Sequence, residues 1–321
     1  MRRLLLLAFI WGWSFLLIKV IVESVPPTFL AWSRIVLGLA VMLVFLRSSG
    51  DRFPERRTWW HLAVLGAAMS VLPFTLFAWG EERITSALTA VLNACTPLFT
   101  AAFAAWLLRE RLRRPQLAGL AIAFGGVAVL AGVGGGDLAG SSLLGTLAAV
   151  GGAAGYGFGF AYAQRFAHHL TPMQLSAGQL SFGGVLLLPV AGANLAAGRV
   201  HFAWLGLLCL VLLGAVGTGY AYLLNYRTVQ EEGATTASLV TYLIPIVGVA
   251  AGVLVLDEPF SYRLVIGGLI VVLGIALTQG RILGPREPAP EVAAAEVRGS
   301  GAVGAHAAGP GPEPAPAPCG D

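Results

Sequence analysis

The sequence predicts an all-α integral membrane protein with ten transmembrane helices, arranged as two inverted five-helix repeats. Three observations predict this fold: an apolar composition, ten apolar segments of spanning length, and a match between the two halves of the chain. Of the 321 residues, 57% are hydrophobic and 11% are charged, whereas soluble domains contain about 25% charged residues. So little polar surface cannot cover a water-soluble core of this size. Lipid is therefore the expected solvent for most of the chain.

Ten segments are apolar over about the 20 residues that a helix needs to cross a bilayer. The first continues from Leu4 through Trp11 to Val22 without a small-residue cleavage site. It is therefore expected to be a retained helix rather than a secretory signal. The segments cover residues 4–22, 27–46, 59–79, 85–108, 115–133, 143–163, 171–190, 201–224, 234–256 and 262–280.

Alternate connections between the segments differ in arginine content. If the N-terminus is cytoplasmic, 14 arginines lie on the cytoplasmic side and 3 on the other side. Because Lys and Arg concentrate in cytoplasmic loops, the sequence predicts that both termini are cytoplasmic. The two sets are Arg2, Arg3, Arg47, Arg52, Arg56, Arg57, Arg109, Arg111, Arg113, Arg114, Arg165, Arg227, Arg281 and Arg286 against Arg83, Arg199 and Arg263.

The two halves of the chain match each other at a nearly constant offset. The matched pairs are Trp11 with Tyr156, Pro27 with Pro172, and Arg34 with Gln179 at an offset of 145, then Pro97 with Pro245, Glu110 with Glu258, Gly119 with Gly267 and Gly126 with Gly274 at an offset of 148. Each half holds five segments, and five is odd, so the second half is predicted to be inverted in the membrane. The predicted units are residues 1–138, the first repeat, and residues 139–283, the second repeat.

The last 38 residues, 284–321, have a different composition. They contain 8 Pro and 7 Gly, with 2 Arg and 5 acidic residues. Such a segment cannot bury enough apolar area to offset its ordering entropy. The sequence therefore predicts a disordered cytoplasmic tail.

Inverted repeats are the architecture of many secondary transporters, in which the substrate site lies near the midplane between the repeats. The alternative is a membrane scaffold that does not transport and uses its acidic, Pro-rich tail for docking. The sequence shows no phosphate-cradling loop, nucleophile elbow or metal-ligand spacing, so neither an enzyme, a cofactor nor a metal is expected. The expected partners are a small-molecule substrate, the lipid bilayer and, as one option, a second copy of the chain; nucleic acid is not expected.

Apart from Arg263 at the start of the last segment, the charged residues inside the predicted spans are Lys19 and Arg34, and no carboxylate lies there. Lys19 can pair with Glu23, one helical turn further along. Arg34 follows Pro27 by seven residues, which places it about 10 Å deep at 1.5 Å per residue. A cation at that depth is a candidate for binding a substrate carboxylate or phosphate. The alternative is that Arg34 extends outward to Glu23 and stabilises the first hairpin.

Pro97 and Pro245 each remove a hydrogen bond from the middle of an apolar segment, which frees a carbonyl and predicts a kink. The kinked helices either line a cavity or are static packing features. Asn93 and Thr241 precede these prolines by four residues each and are predicted to share the kinked face. Further candidates are polar or aromatic and could instead form inter-helix hydrogen bonds or interfacial belts: Trp11, Ser14, Trp79, Tyr156, Gln179, Tyr220, Tyr222, Asn225 and Tyr242.

Several of these motifs resemble those of the EamA-domain branch of the drug/metabolite transporter superfamily. They are Trp11-Gly12-x-Ser14-Phe15 in the first segment, Pro27 with Arg34 in the second, and the paired runs Pro97 to Glu110 and Pro245 to Glu258. The resemblance covers residues 4–281. It implies ten helices in two repeats and a bacterial inner-membrane carrier, often an exporter of amino acids or related metabolites.

The charges refine what the resemblance implies. Related exporters of small cationic drugs depend on a membrane-embedded Glu in their first helix, which this chain lacks. A zwitterionic or anionic metabolite, exported by alternating access, is therefore expected. Without a carboxylate in the spans, coupling is left to Glu110 or Glu258 at the rim, to another ion, or to facilitated diffusion.

Overall fold

The computed structural model describes residues 2–109, 112–130, 140–232 and 240–278, leaving aside the side chains of 140–142, 226, 229, 230 and 232. Within these ranges the regular elements are all helical, as predicted. The boundary predicted at residue 138, the rim residue Glu110 and the predicted tail lie outside the described residues. The α-helices are α1 (Arg2–Val22), α2 (Pro27–Ser49), α3 (Trp59–Gly66), α4 (Leu72–Glu81), α5 (Ser86–Asn93), α6 (Thr96–Leu107), α7 (Arg114–Leu130), α8 (Gly140–Phe166), α9 (Pro172–Ala196), α10 (Trp204–Val211), α11 (Ala221–Glu232), α12 (Val240–Val255) and α13 (Tyr262–Thr278).

Seven helical stretches in the described part of the chain are long and apolar enough to cross a membrane. They are Arg2–Val22, Pro27–Ser49, Arg56–Glu81, Ser86–Leu107, Leu143–Phe166, Pro172–Ala196 and Trp204–Asn225. The other three predicted segments correspond to the shorter apolar helices α7, α12 and α13. Large apolar side chains cover the outer surface, such as Trp204 and Leu254, each 78% exposed. An integral membrane protein accounts for this surface, because lipid solvates it.

Local sequence signals set several helix ends. Pro27 occupies the first position of α2, where a missing N–H costs nothing, and Gly50 ends that helix in the left-handed conformation at φ 74°. Thr171 and Gln174 form a reciprocal capping box at the start of α9. Thr85 caps α5 by accepting a hydrogen bond from a backbone N–H.

At Pro97, where the sequence predicts a kink, the helix is interrupted. α5 ends at Asn93, and α6 begins at Thr96 with Pro97 in its first turn. The Asn93 carbonyl, which Pro97 cannot use, accepts a hydrogen bond of 2.8 Å from the Thr96 hydroxyl. Pro245, in contrast, lies inside the continuous helix α12. The two prolines match in sequence but differ in local structure.

Two segments of π-helix interrupt the long helices. Residues Ala67–Val71 separate α3 from α4, and Leu212–Tyr220 separate α10 from α11. A π-helix places one extra residue in a turn, which displaces side chains and carbonyls from the regular pattern and often occurs at functional sites. The apolar pattern of the sequence does not reveal either segment.

Glycines allow very close helix crossings between the two halves of the chain. A β-carbon added to Gly12 would lie 2.5 Å from Cβ of Val247, and one added to Gly157 would lie 2.5 Å from Cβ of Phe99. The first contact joins α1 to α12 and the second joins α8 to α6. Residues 12 and 157 differ by 145, and residues 99 and 247 by 148. The two crossings therefore use the offsets that relate the halves in sequence.

A second pair of crossings joins α7 to α13. A β-carbon on Gly119 would lie 2.6 Å from the Gly274 carbonyl oxygen, and one on Gly126 would lie 2.9 Å from the Gly267 carbonyl oxygen. The offset of 148 converts each of these pairs into the other. Substituting any of the four glycines would separate helix backbones that are in direct contact.

The connections gather at two ends of the helices. Hydrogen bonds from His201 N to Ser24 O and from Lys19 Nζ to Ile84 O hold one end together, and one from Gln174 Nε2 to Arg52 O holds the other. The arginine-poor end comprises residues 23–26, 82–85, 197–203 and 256–261. The arginine-rich end comprises residues 50–58, 108–109, 112–113 and 167–171.

Candidate functional site

A cavity of about 260 Å³ lies between helices of both halves. Ile18 and Phe77 line it toward the arginine-poor end, each four residues before its helix ends. Toward the arginine-rich end it extends to Ala163, Pro172 and Thr241. Its volume is slightly below the usual range for ligand pockets. The cavity therefore suits a small metabolite.

Nine of the thirteen residues proposed from the sequence as substrate ligands line this cavity. They share a position at the interior of the bundle and are Trp11, Ser14, Arg34, Asn93, Tyr156, Gln179, Tyr222, Asn225 and Thr241. The structure brings eight of them together from seven of the predicted segments, and Asn225 directly follows the eighth segment. Their role in binding a substrate stays a prediction.

The other four predicted ligands lie outside the cavity lining. Lys19 does not pair with Glu23, as the sequence suggested, but donates hydrogen bonds to the carbonyls of Glu81 and Ile84. Trp79 stacks with the guanidinium of Arg83. Tyr220 is 40% exposed on the outer surface, and Tyr242 lines an apolar groove on the outside of the bundle with Pro245 and Leu269.

Among the described residues that line the cavity, Arg34 is the charged one. It projects from α2, is 6% exposed, and donates a 2.8 Å hydrogen bond from Nε to the Thr218 hydroxyl. Its Cζ lies 3.9 Å from the centre of the Phe74 ring, which is a cation–π distance. The suggested interaction with Glu23 is therefore wrong, because Thr218 and Phe74 hold the guanidinium inside the bundle.

The outer part of the Arg34 guanidinium is available for a ligand. Across the described ranges, neither terminal nitrogen of Arg34 has a hydrogen-bond partner, and no carboxylate lies within ion-pair distance. A guanidinium with Nε fixed and two terminal nitrogens facing a cavity presents a planar fork that matches a carboxylate. The arrangement can therefore bind an anion in a defined orientation.

The π-helix of residues Leu212–Tyr220 supplies the partners that position these groups. Thr218, which fixes Arg34, donates its own hydroxyl hydrogen to the Leu213 carbonyl five residues earlier. The neighbouring Gly217 carbonyl accepts a 3.2 Å hydrogen bond from the Trp11 indole. Two predicted site residues are thus oriented by a feature that was not visible in the sequence.

Aromatic side chains form much of the remaining wall. Trp11 meets Tyr222 edge to face with ring centres 6.5 Å apart, and Tyr156 packs against Phe77 at 6.0 Å. Asn93 adds a polar group at the interruption between α5 and α6, and its Oδ1 atom has no hydrogen-bond partner within the described structure. The described lining of the cavity thus combines one cation, an amide side chain and several aromatic rings.

Glu81 is a buried acidic residue that the sequence analysis missed. The third predicted segment stopped at residue 79, but the helix continues to Glu81. Glu81 is 0% exposed, and neither carboxylate oxygen has a hydrogen-bond partner among the described residues. The expectation that no carboxylate lies within a span is therefore wrong. A charged run such as Glu81-Glu82-Arg83 is typical of a solvated loop, and the burial follows from the extension of the helix.

We predict that Thr218→Val lowers transport by about fivefold to tenfold, because Arg34 loses the acceptor that orients it. A hydrogen bond of this kind is worth about 1–1.5 kcal/mol, and valine preserves the side-chain shape. Thr218→Ser retains the hydroxyl and should behave like the unmodified protein. Initial rates of substrate counterflow for the two variants compare them directly, and equal rates would contradict the positioning role of Thr218.

Comparison with known proteins places this site in a family. The family model described as the EamA-like transporter family matches twice, over residues 3–132 and 143–279. The chain is 28% identical over 283 residues to the "Uncharacterized inner membrane transporter YedA" of Escherichia coli (strain K12), which covers 87% of this chain and 90% of that protein. It is 29% identical over 287 residues to a "Probable terminal-alkyne amino-acid exporter" of Streptantibioticus cattleyicolor, covering 87% and 93%.

A solved crystal structure resembles the fold. Its TM-score to this chain is 0.58 at 20% identity, and the match covers 87% of this chain and 99% of that one. This likeness concerns the fold alone. The two family matches extend over both halves of the chain and include every described residue that lines the cavity. The chain therefore belongs to the EamA-like transporter family.

Proposed function

We propose that this transporter exports a small metabolite bearing a carboxylate, such as an amino acid or a related zwitterionic or anionic compound, by alternating access. The observation that carries the proposal is the buried guanidinium of Arg34. It faces the cavity with two terminal nitrogens for which the described structure provides no partner. Leaving a buried cation unpaired is costly, and a ligand carboxylate would compensate that cost.

The rest of the cavity suits the opposite end of a zwitterion. Asn93 lines the cavity, and an amide can offer a hydrogen bond to a polar group of the ligand. The rings of Trp11 and Tyr222 can attract the same cation through their faces. An amino acid carries both charged groups on neighbouring atoms, so the chemistry of the cavity favours this class over nucleosides or simple cations.

The packing of the helices supports two inverted repeats of five helices. Glycine crossings join α1 to α12 and α8 to α6 at equivalent positions, and Gly119 and Gly126 meet Gly274 and Gly267 reciprocally. The two π-helical segments also fall at equivalent places, in the third and eighth predicted segments. Two similar halves can exchange conformations, which is how inverted repeats produce alternating access.

The arginine distribution supports a cytoplasmic location for the arginine-rich end and for both termini, in a bacterial inner membrane. The cavity extends toward that end, so this conformation would take up substrate from the cytoplasm. A relative named as a probable amino-acid exporter favours the outward direction and the substrate class.

Counterflow in proteoliposomes tests the proposal. Purified protein is reconstituted, loaded with one unlabelled compound at a time, and supplied outside with the same radiolabelled compound, with and without a pH gradient. The panel contains L-amino acids, organic acids and nucleosides. We expect exchange of at least one carboxylate-bearing compound. Exchange of nucleosides alone would contradict the substrate class, and no exchange of any compound would favour the scaffold alternative.

Deleting residues 284–321 distinguishes the carrier hypothesis from the scaffold alternative. A carrier whose site lies between the helices should keep its counterflow rate after the deletion. A scaffold that docks through the tail should lose its partner while its membrane content is unchanged.

A further inference from the structure

We propose that Glu81 is a proton-binding site that closes the arginine-poor end of the cavity, so that a proton sets which side of the membrane the cavity faces. The inference rests on the proposed transport function and names the ion that shifts the carrier between its conformations. The geometry around Glu81 carries it: a fully buried carboxyl group, with no hydrogen-bond partner among the described residues, lies at the end of the bundle that two charged contacts hold together.

Glu81 lies directly beyond the cavity. Phe77, which lines the cavity, precedes it by one turn of α4. The Glu81 side chain is 0% exposed, and the described residues offer neither oxygen a hydrogen bond. Burying an ionised carboxylate without hydrogen bonds costs several kcal/mol, whereas a neutral carboxyl group costs much less. In this conformation Glu81 therefore carries a proton.

The first charged contact is made by Lys19. Its ammonium group donates hydrogen bonds to the backbone carbonyls of Glu81 and Ile84, the second at 3.0 Å. These carbonyls belong to the C-terminal end of α4 and the turn that follows, where the helix dipole attracts positive charge. The contact attaches α1 to the end of α4.

The second charged contact is made by Glu258. Its two carboxylate oxygens accept hydrogen bonds from the backbone N–H groups of Ser86, at 2.7 Å, and Ala87, at 3.0 Å. These groups start α5, where the dipole attracts negative charge. Gly252 makes the approach possible, because a β-carbon there would collide with the Glu258 carboxylate. The contact attaches the end of α12 to the start of α5.

Glu81 interacts electrostatically with charges on both contacts. The charged groups that act on Glu81 are Lys19, Glu258 and Arg34. Helix α8 presents the phenol of Tyr156 to α4. Beyond the end of α4, Glu82 pairs with Arg83 at 2.7 Å and is occupied there.

Loss of the Glu81 proton would loosen both contacts. The new negative charge attracts the Lys19 ammonium away from the carbonyls and repels the Glu258 carboxylate from α5. It also requires hydration, which opening of the arginine-poor end supplies as the proton passes to water. Because protonated Glu81 fits the closed end and ionised Glu81 fits the open end, the proton shifts the population between the two.

Thiol labelling from each side of the membrane tests the proposal without a substrate. Asn93→Cys places a reporter in the cavity of a protein in which Cys95, Cys209 and Cys319 are replaced by alanine. A membrane-impermeant methanethiosulfonate reagent is applied to right-side-out and inside-out vesicles at pH 6 and pH 8. The result is expressed as the labelling rate from the arginine-poor side divided by the rate from the arginine-rich side. This ratio cancels the pH dependence of the thiol itself.

We expect the ratio to shift several-fold toward the arginine-poor side at pH 8. Glu81→Gln, which mimics the protonated group, should remove the shift and keep the low ratio. The control Glu82→Gln changes the adjacent exposed carboxylate and should retain the shift. The proton site would be overturned if the ratio does not change with pH in the reporter protein that keeps Glu81, or if the shift persists in Glu81→Gln.

An infrared measurement detects the Glu81 proton directly, so that the conclusion does not depend on labelling of a variant that could be misfolded. Difference spectra between pH 6 and pH 8 should show a protonated-carboxyl C=O band that disappears in Glu81→Gln, and persistence of the whole band would overturn the assignment. Counterflow of the L-amino-acid panel examines transport separately. Counterflow with a ratio that does not respond to pH would refute the proton site and leave the carrier intact.

Discussion

Replacing Arg34 with alanine is expected to lower the transport of carboxylate-bearing substrates about 30-fold or more while the protein still reaches the membrane. A hydrogen-bonded pair of buried charges is worth at least about 2 kcal/mol, and each 1.4 kcal/mol corresponds to a factor of ten. Arg34 holds no carboxylate of the described chain, so its removal breaks no ion pair there, and the protein should still fold although the contacts with Thr218 and Phe74 are lost. Concentration-dependent counterflow, normalised to the protein in the vesicles, measures the effect.

Two further variants separate charge from geometry. Arg34→Lys keeps the positive charge but loses the planar fork and the Nε–H that Thr218 accepts, so its rate should lie between those of alanine and arginine. Arg47→Ala removes an exposed arginine from the same helix and should transport normally. Counterflow by Arg34→Ala at the rate of the Arg47→Ala control would show that Arg34 does not bind the substrate. Asn93→Ala is expected to weaken transport less, because the group is neutral.

Gly126→Ala should destabilise the fold by about 1–3 kcal/mol, the usual cost of extra volume in a packed interface. Its β-carbon would lie 2.8 Å from the backbone nitrogen of Val271 and 2.9 Å from the Gly267 oxygen. Helices α7 and α13 would have to separate. The apparent melting temperature of the detergent-solubilised protein, followed by its monodisperse fraction after heating, should fall by several degrees.

The adjacent glycine is a matched control. Gly125 lies on the same helix, but a β-carbon there would have nothing within 4 Å. Alanine favours a helix by up to about 1 kcal/mol over glycine, so Gly125→Ala should leave the melting temperature unchanged or raise it. Equal melting temperatures for the two variants would mean that the glycine crossing between α7 and α13 does not limit stability.

Much of the helical architecture follows from the apolar pattern. A run such as residues 27–46 must form a helix in lipid, because no water is present to satisfy its backbone. The glycines that match between the halves, such as Gly119 and Gly267, also mark real helix contacts. The pattern does not show where a side chain takes over a backbone hydrogen bond. Thr96 satisfies the carbonyl that Pro97 leaves free, and the helix is interrupted there.

The candidate site could be predicted only in part, because its residues contact partners that are far away in the sequence. Arg34 and Asn93 stand out in the sequence because a polar group in an apolar segment is conspicuous. Their partners do not stand out. Thr218 is 184 residues from Arg34, and an isolated threonine in an apolar segment has no distinguishing feature.

The sequence by itself determined the membrane solvent, the helical class, the relation between the two halves and the presence of a deep cation, because each depends on composition or periodicity along the chain. Tertiary structure decided the partners of the charges. Lys19 binds the carbonyls at the end of α4 rather than Glu23, and Glu258 binds the start of α5. It also decided that Glu81 is buried without a hydrogen-bond partner among the described residues. These outcomes depend on helix rotation and on which helices become neighbours, and neither is encoded in a local pattern.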